Sequence, residues 1–245
     1  MNQWLLTLDA STPTTVVALG RADAAAPRAS VVSTDGANQT SEKLAAHLER
    51  VLRECQIDVC DVTKIAAGVG PGTFTGTRVT AAFAKGVALG LGLGVHPVST
   101  LEASAWDAVD ASTKQRDVAA MLDARRDEIY GAVYQWDEHR GALRRRGDER
   151  CVALERFIED STLSPATTLV GTGVTAYRDR LEATHGFSLM PTNGLSARGL
   201  WCASRRAAEQ AAVDPAALAV TYLRASYAQM GIHKPKRPMI KSPFV

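Results

Sequence analysis

The chain has 245 residues, 46% of them hydrophobic, with 28 lysines and arginines against 26 aspartates and glutamates. That is enough apolar material for one large or two medium domains, and the balanced charge excludes a global field that would recruit nucleic acid unaided. The scattered cysteines Cys55, Cys60, Cys151 and Cys202 form no C-x-x-C pair, which argues against a disulfide frame or zinc site and fits free thiols in a reducing compartment. The opening MNQWLLTLDAS has neither a basic leader nor a long apolar run. The most apolar helix holds Lys85 and several glycines and is short for a membrane span. A cytoplasmic protein with no membrane partner is expected.

Trp4–Leu8 is a short apolar run ending in Asp9, and Ser11, Thr12 and Pro13 turn it into a second run, Thr14–Leu19. This reads as a β-hairpin with a carboxylate and hydroxyls at its tip. Such a tip can hold a metal-bound phosphate, but Asp, Ser and Thr also bond nearby backbone amides, and without further support that turn chemistry is preferred. A third strand is expected at Ala29–Ser33. Thr40 or Ser41 then caps a helix whose buried stripe is Leu44, Leu48, Val51 and Leu52, with Glu42 in its first turn and His47 beside the stripe.

Ile65–Gly94 organises the rest: a buried strand, a turn containing Gly68, Gly70, Pro71, Gly72 and Gly76, and a long apolar helix from about Phe74 to Gly92. Thr73, Thr75 and Thr77 place hydroxyls near its free N–H groups. At about 100° per residue, Val79, Phe83, Val87 and Leu91 form a bulky row expected to face a sheet. Arg78, Ala81, Ala82, Lys85, Ala88, Leu89 and Gly92 lie opposite. Water-facing helices normally have a polar back; this one looks covered on both sides, either within its own domain or by a partner. A short strand at Gly94–Val98 and a helix capped by Ser99 follow.

The order then recurs. Strands are expected at Val118–Leu122 and Ile129–Trp136, with a third ending near Val152. A short helix follows at Leu154–Asp160, then a strand at Thr168–Val170. Gly171-Thr172-Gly173 turns into a helix through about Thr184, and an amphipathic helix covers Leu195–Ala212. Two such halves predict a two-lobed α/β protein with mixed sheets: residues 1–110 as the N-terminal lobe, 111–214 as the C-terminal lobe, and 215–245 as a candidate addition to the first. Arg144–Arg146 read as a solvated charge run. The basic, proline-containing tail Ala225–Val245 cannot be one continuous helix.

LDASTP at Leu8–Pro13, GVGPGTFTGTR at Gly68–Arg78, VSTLEA at Val98–Ala103 and LDARRDEIY at Leu122–Tyr130 together resemble the TsaB/YeaZ family, bacterial subunits for threonylcarbamoyl modification of adenosine in tRNA. LVGTG at Leu169–Gly173 and TYLR at Thr221–Arg224 are weaker matches. The resemblance implies an actin-like ATPase fold of two ribonuclease-H-like lobes, a TsaD-type catalytic paralogue, and a TsaE-type ATPase as partners. The paralogue's metal-binding H-x-x-x-H falls on Thr100 and Ser104, neither a good ligand of that kind, and His47, His96, His139, His185 and His233 nowhere show that spacing. No metal, no catalysis by this chain alone and no cofactor of its own are therefore expected, with a nucleotide at a subunit joint left open. Departures from the family pattern are Ala10 where Thr is usual, Thr77 where an apolar residue is usual, and Thr40 where His is often found.

The implied role is a scaffold that binds and activates the catalytic paralogue. The implied partner face comprises Thr40, Glu42, His47, Phe74, Arg78, Ala81, Ala82, Lys85 and Leu89, and a homodimer can use the same face. Asp9, Ser11, Thr12, Gly70, Gly72 and Thr73 stand as remnants of a phosphate loop, and tRNA contact is expected to be indirect or weak. The alternatives are a small-molecule kinase of the same fold and a peptidase acting on the paralogue. The second lacks a G-x-S-x-G and a convincing Ser/His/Asp order.

Overall fold

The computed structural model describes residues 3–34, 40–109, 117–184 and 186–224. Two five-stranded sheets form its frame. The first contains β1 (Trp4–Asp9), β2 (Thr15–Arg21), β3 (Ala29–Ser33), β4 (Val62–Gly68) and β5 (Val95–Val98), in the order β3-β2-β1-β4-β5. The second contains β6 (Asp117–Arg125), β7 (Glu128–Asp137), β8 (Ala142–Ala153), β9 (Thr168–Gly171) and β10 (Ser188–Pro191), in the order β10-β9-β6-β7-β8. Read from opposite edges, the two orders are the same. In each sheet an antiparallel meander joins parallel strands through its first strand: β1 pairs antiparallel with β2 and parallel with β4, and β6 does so with β7 and β9.

The helices are α1 (Thr40–Cys55), α2 (Phe74–Leu91), α3 (Thr100–Asp107), α4 (Leu154–Asp160), α5 (Thr172–Ala176), α6 (Arg178–Thr184) and α7 (Ala197–Ala207). α1 and α2 cover the outer face of the first sheet, and α4, α5 and α6 cover that of the second. The inner helices exchange: α3 follows the first sheet in sequence but packs on strands of the second, whereas α7 follows the second and packs on the first. The two helices also pack on each other, so the order in space is α, β, α, β, α. Strand alternation explains this layering. Leu6 and Leu8 point to the outer core of the first lobe, with Ile65 and Ala84, while Leu5 joins Ala66, Leu101, Val118, Val170 and Trp201 in the core between the sheets. β1 is buried along its whole length because helices flank both of its faces.

Side-chain caps set three of the helix starts. Thr73 Oγ1 accepts from Gly76 N at 3.3 Å, Ser99 Oγ from Leu101 N and Glu102 N at 3.2 and 3.3 Å, and Ser196 Oγ from Gly199 N at 3.0 Å. The Ser196 cap corrects the expected start of α7: Leu195 lies outside the helix, buried, with its amide on Thr12 Oγ1 at 3.2 Å. The helix expected after the second glycine turn divides at Tyr177 (φ −119°, ψ 23°). β10, not expected from the sequence, is only four residues of largely exposed SLMP. Thr40 and Ser41 are the first residues of α1, so the residue that caps it lies outside the described ones.

The largest difference concerns α2. Its inward row is the small one, Gly76, Thr77, Thr80, Ala81, Ala84 and Ala88, all buried. The bulky Val79, Phe83, Val87 and Leu91 are half-buried along the flank of the outer core. Ala81 and Ala88, assigned from the sequence to the outward side, thus face the sheet. The reason is proximity. Ala10 N donates to Thr80 Oγ1 at 2.9 Å, and a Cβ at Gly76 would lie 1.8 Å from Ala10 O, so only small residues fit where the helix begins. Gly76→Ala should therefore cost at least the roughly 1–3 kcal/mol typical of overpacking. Gly86→Ala, with nothing within 4 Å of the added methyl, should stabilise by about 0.5–1 kcal/mol from backbone entropy; urea titrations of the two variants give the comparison.

Candidate functional site

The two lobes enclose a cleft of about 660 Å³. Matching parts of each half line it: the hairpin tip Ser11–Pro13 and Gly72–Phe74 from the first, Leu122–Arg125 with Thr172 and Thr175 from the second. The correspondence is visible in sequence, because Leu8-Asp9-Ala10 ends β1 as Leu122-Asp123-Ala124 closes β6. In both, the aspartate accepts from the amide two residues on: Ser11 N to Asp9 Oδ1 at 2.6 Å and Arg125 N to Asp123 Oδ1 at 2.8 Å.

The two carboxylates differ in access. Asp123 remains partly exposed at the cleft wall and pairs with Arg125 at 3.3 Å. Asp9 is fully buried. Ser11 Oγ donates to its two oxygens at 2.8 and 3.0 Å, and Thr100 Oγ1 donates at 3.3 Å. Burial pushes the Asp9 carboxyl up to about 6, against the opposing pull of the Ser11 amide and the Ser11 and Thr100 hydroxyls.

The glycine turn is occupied by the chain itself. A Cβ at Gly68 would lie 1.6 Å from Asp9 Oδ2 and one at Gly72 2.3 Å from Ser11 O, while Thr73 N donates to Ser11 O at 2.7 Å. Gly70, at φ +93°, sits against Thr221 O. Thr12 is held by Thr14 Oγ1 at 3.0 Å and by the Leu195 amide. The residues considered as phosphate-loop remnants are thus brought together, and the side chains of Asp9, Ser11, Thr12 and Thr73 are all hydrogen-bonded to groups of the chain itself. Turn chemistry is what the geometry displays.

Along the candidate partner face, Phe74 is 57% and Leu89 68% exposed; Arg78 and Ala82 are exposed and Lys85 is half-buried. Ala81 does not belong to this face. Glu42 is exposed on α1. His47 turns toward β3, its Nε2 2.9 Å from Ser33 Oγ, and the Thr40 side chain lies outside the described residues. Sequence reasoning gave Tyr222 no role, yet the structure adds it to the face. The Arg78 guanidinium lies 3.6 Å from the Phe74 ring centre, and its Nε donates to Tyr222 Oη at 2.7 Å. The signal available was TYLR, whose distance along the chain from Phe74 hides the contact. Arg144, Arg145 and Arg146 each have an acceptor, in Gln135, Glu149 and Asp117. Among the described residues no three His, Cys, Asp or Glu side chains converge, and no helix is long and apolar enough to cross a membrane.

The sign of the Asp9 effect follows from its raised value. The folded chain retains the proton up to about pH 6, whereas the unfolded carboxyl releases it near 3.8. Stability is therefore lost as pH rises between those values, by at most on the order of 3 kcal/mol. Asp9→Asn should then be more stable than the parent at pH 8 and indistinguishable from it at pH 3.5. Equal shifts at both pH values in urea titrations would contradict this.

Residues 21–177 match the family model described as TsaD, tRNA N6-adenosine threonylcarbamoyltransferase. The tRNA threonylcarbamoyladenosine biosynthesis protein TsaB of Escherichia coli is 34% identical over 57% of this chain and 60% of its own, so the match spans little more than half of that relative. The solved structure of YeaZ from Pseudomonas aeruginosa superposes with a TM-score of 0.75 at 28% identity, covering 90% of this chain and all of that one. The ethanolamine utilization protein EutJ from Carboxydothermus hydrogenoformans, at 12% identity and a TM-score of 0.51 over 84% of this chain and 91% of its own, shares the fold alone. With the motifs, the duplicated sheets and these matches in agreement, the chain belongs to the TsaB/YeaZ group within the family that model describes.

Proposed function

We propose that this chain is a non-catalytic scaffold subunit of the machinery that adds threonylcarbamoyl to N6 of adenosine 37 in tRNA, and that it binds and activates a TsaD-type catalytic paralogue. The observation that carries the reading is the outer face of α2. Phe74, Arg78, Ala82 and Leu89 are exposed in succession, and a Cβ at Gly86 or Gly90 meets nothing within 4 Å among the described residues. A helix facing only water is normally polar there; this face instead offers large apolar side chains beside flat stretches where a partner helix can approach closely. α1 packs alongside and adds Glu42. A homodimer through the same face, a TsaE-type ATPase as third component and tRNA contact through the paralogue belong to the same proposal. The joint with the partner is the place it leaves for any nucleotide.

Silence in catalysis is supported by Thr100 and Ser104, the positions matched to the paralogue's metal-binding histidines. Both are buried, and the Thr100 hydroxyl is engaged by Asp9 and Ser11. The kinase alternative needs Asp9 to face a metal nucleotide, and its buried, hydrogen-bonded carboxylate weighs against that.

Ala82→Arg tests the face. On a free helix surface the change alters stability by no more than about 0.5 kcal/mol, whereas in a tight helix–helix joint it overpacks and buries a charge. The variant should melt and appear by circular dichroism as the parent does, yet fail to co-elute with the paralogue at micromolar concentration. Co-elution like the parent's would place the joint elsewhere. In the same preparations, tRNA should stay unmodified when this chain alone is given threonylcarbamoyl-adenylate; turnover with the paralogue rigorously excluded would overturn the non-catalytic assignment.

A further inference from the structure

After α7 the chain recrosses the first lobe. Val213 forms an antiparallel bridge with Val95, and Leu218 enters the outer core. At Thr221–Arg224 it spans the lobes. Thr221 N donates to Val69 O at 2.7 Å, in the first glycine turn. The Tyr222 ring lies 5.9 Å from that of Phe74, with its hydroxyl on Arg78. Arg224 reaches the second lobe: its Nη1 donates to Ala124 O at 2.8 Å, and its Nη2 donates to Glu128 Oε2 at 2.5 Å. Phe74 and Ala124 line opposite walls of the cleft. Within four residues, then, the start of α2 is tied to the β6–β7 turn across the cleft.

We propose that Thr221–Arg224 is an interlobe strap that couples the Phe74–Arg78 patch to the opening of the cleft. Arg224 and Glu128 retain side-chain exposures of 23% and 35%, so the pair is only partly shielded from water and can release without a large desolvated charge being left behind. Tyr222 is the joint of the device. A ligand of the patch that draws Arg78 away from Tyr222 loosens the strap, and closure of the lobes in turn presents the patch; such coupling is reciprocal. Only the identity of what pulls on Arg78 rests on the partner-face reading, because every contact of the strap lies within this chain.

The test uses the chain without any partner, so it is independent of whether the paralogue binds. Nitroxide labels attached through p-acetylphenylalanine in place of the exposed Glu49 on α1 and Glu159 on α4 report the interlobe distance by pulsed electron resonance. The parent should give a narrow distribution. Arg224→Gln and Arg78→Gln should each broaden it and move it to longer distance, while circular dichroism stays that of the folded chain. An unchanged distribution in Arg224→Gln overturns the strap. A shift in Arg224→Gln with none in Arg78→Gln overturns its coupling to the patch. Should Arg224→Gln not fold, Glu128→Gln removes the same ion pair and is read in the same way; if both unfold, the contact is a structural brace and the coupling fails.

Discussion

The first lobe depends on one close approach, the glycine turn lying on the tip of the first hairpin. Gly68, Gly72 and Gly76 meet Asp9, Ser11 and Ala10 at distances that no Cβ tolerates. That contact sets the position of everything attached to the turn. α2 starts against Ala10, α3 starts where Thr100 N bonds Gly70 O at 3.0 Å, and Thr221 N rests on Val69 O. The second lobe repeats the device more sparingly: a Cβ at Gly171 would lie 2.3 Å from Met121 O, and Thr172 Oγ1 accepts from Asp123 N. In both lobes the glycines sit where a neighbouring backbone or side-chain atom leaves no room for a Cβ, a packing role that the glycine pattern fills in the fold.

The repeated halves have diverged at equivalent points. Asp9 is sealed beneath its turn with no cationic partner among the described residues, while Asp123 opens to the cleft beside Arg125. Outside the cleft, the first lobe presents Arg78 and Leu89 along α2, whereas the second turns outward a long edge strand, β8, whose arginines are matched across the sheet and along the strand. A charged, paired edge of this sort discourages strand addition by another chain.

Much of this was legible in the sequence. Apolar runs with Asp at their ends, hydroxyl caps at Thr73 and Ser99, and the recurrence of the same element order gave both meanders and most helices close to their bounds. What stayed hidden depended on tertiary distance. Helical periodicity sorts α2 into rows but does not say which row meets the sheet. The bulky row was the reasonable choice, yet the tight fit at Gly76 selected the small one and turned Ala81 inward. β10 is too short and too exposed to show a period of two. Asp9 read first as a turn residue and second as a phosphate ligand, and its depth below the surface, which no local pattern reveals, came only with the fold. Tyr222 needed a neighbour far away along the chain before it had any meaning.

The exchange of the inner helices reaches into synthesis of the chain. β1 and β2 are made first, but the helix that covers their inner face, α7, ends at Ala207. α3, made before the midpoint, has no sheet to lie on until β6–β9 are complete. Neither half can close its inner face from its own sequence, so the nascent first sheet leaves the ribosome with Leu5, Val16 and Ala18 bare on one side. Contacts of such long range are slow to form, and exposed apolar strands invite association meanwhile. A fragment cut between the lobes would lack the helix that each half borrows from the other.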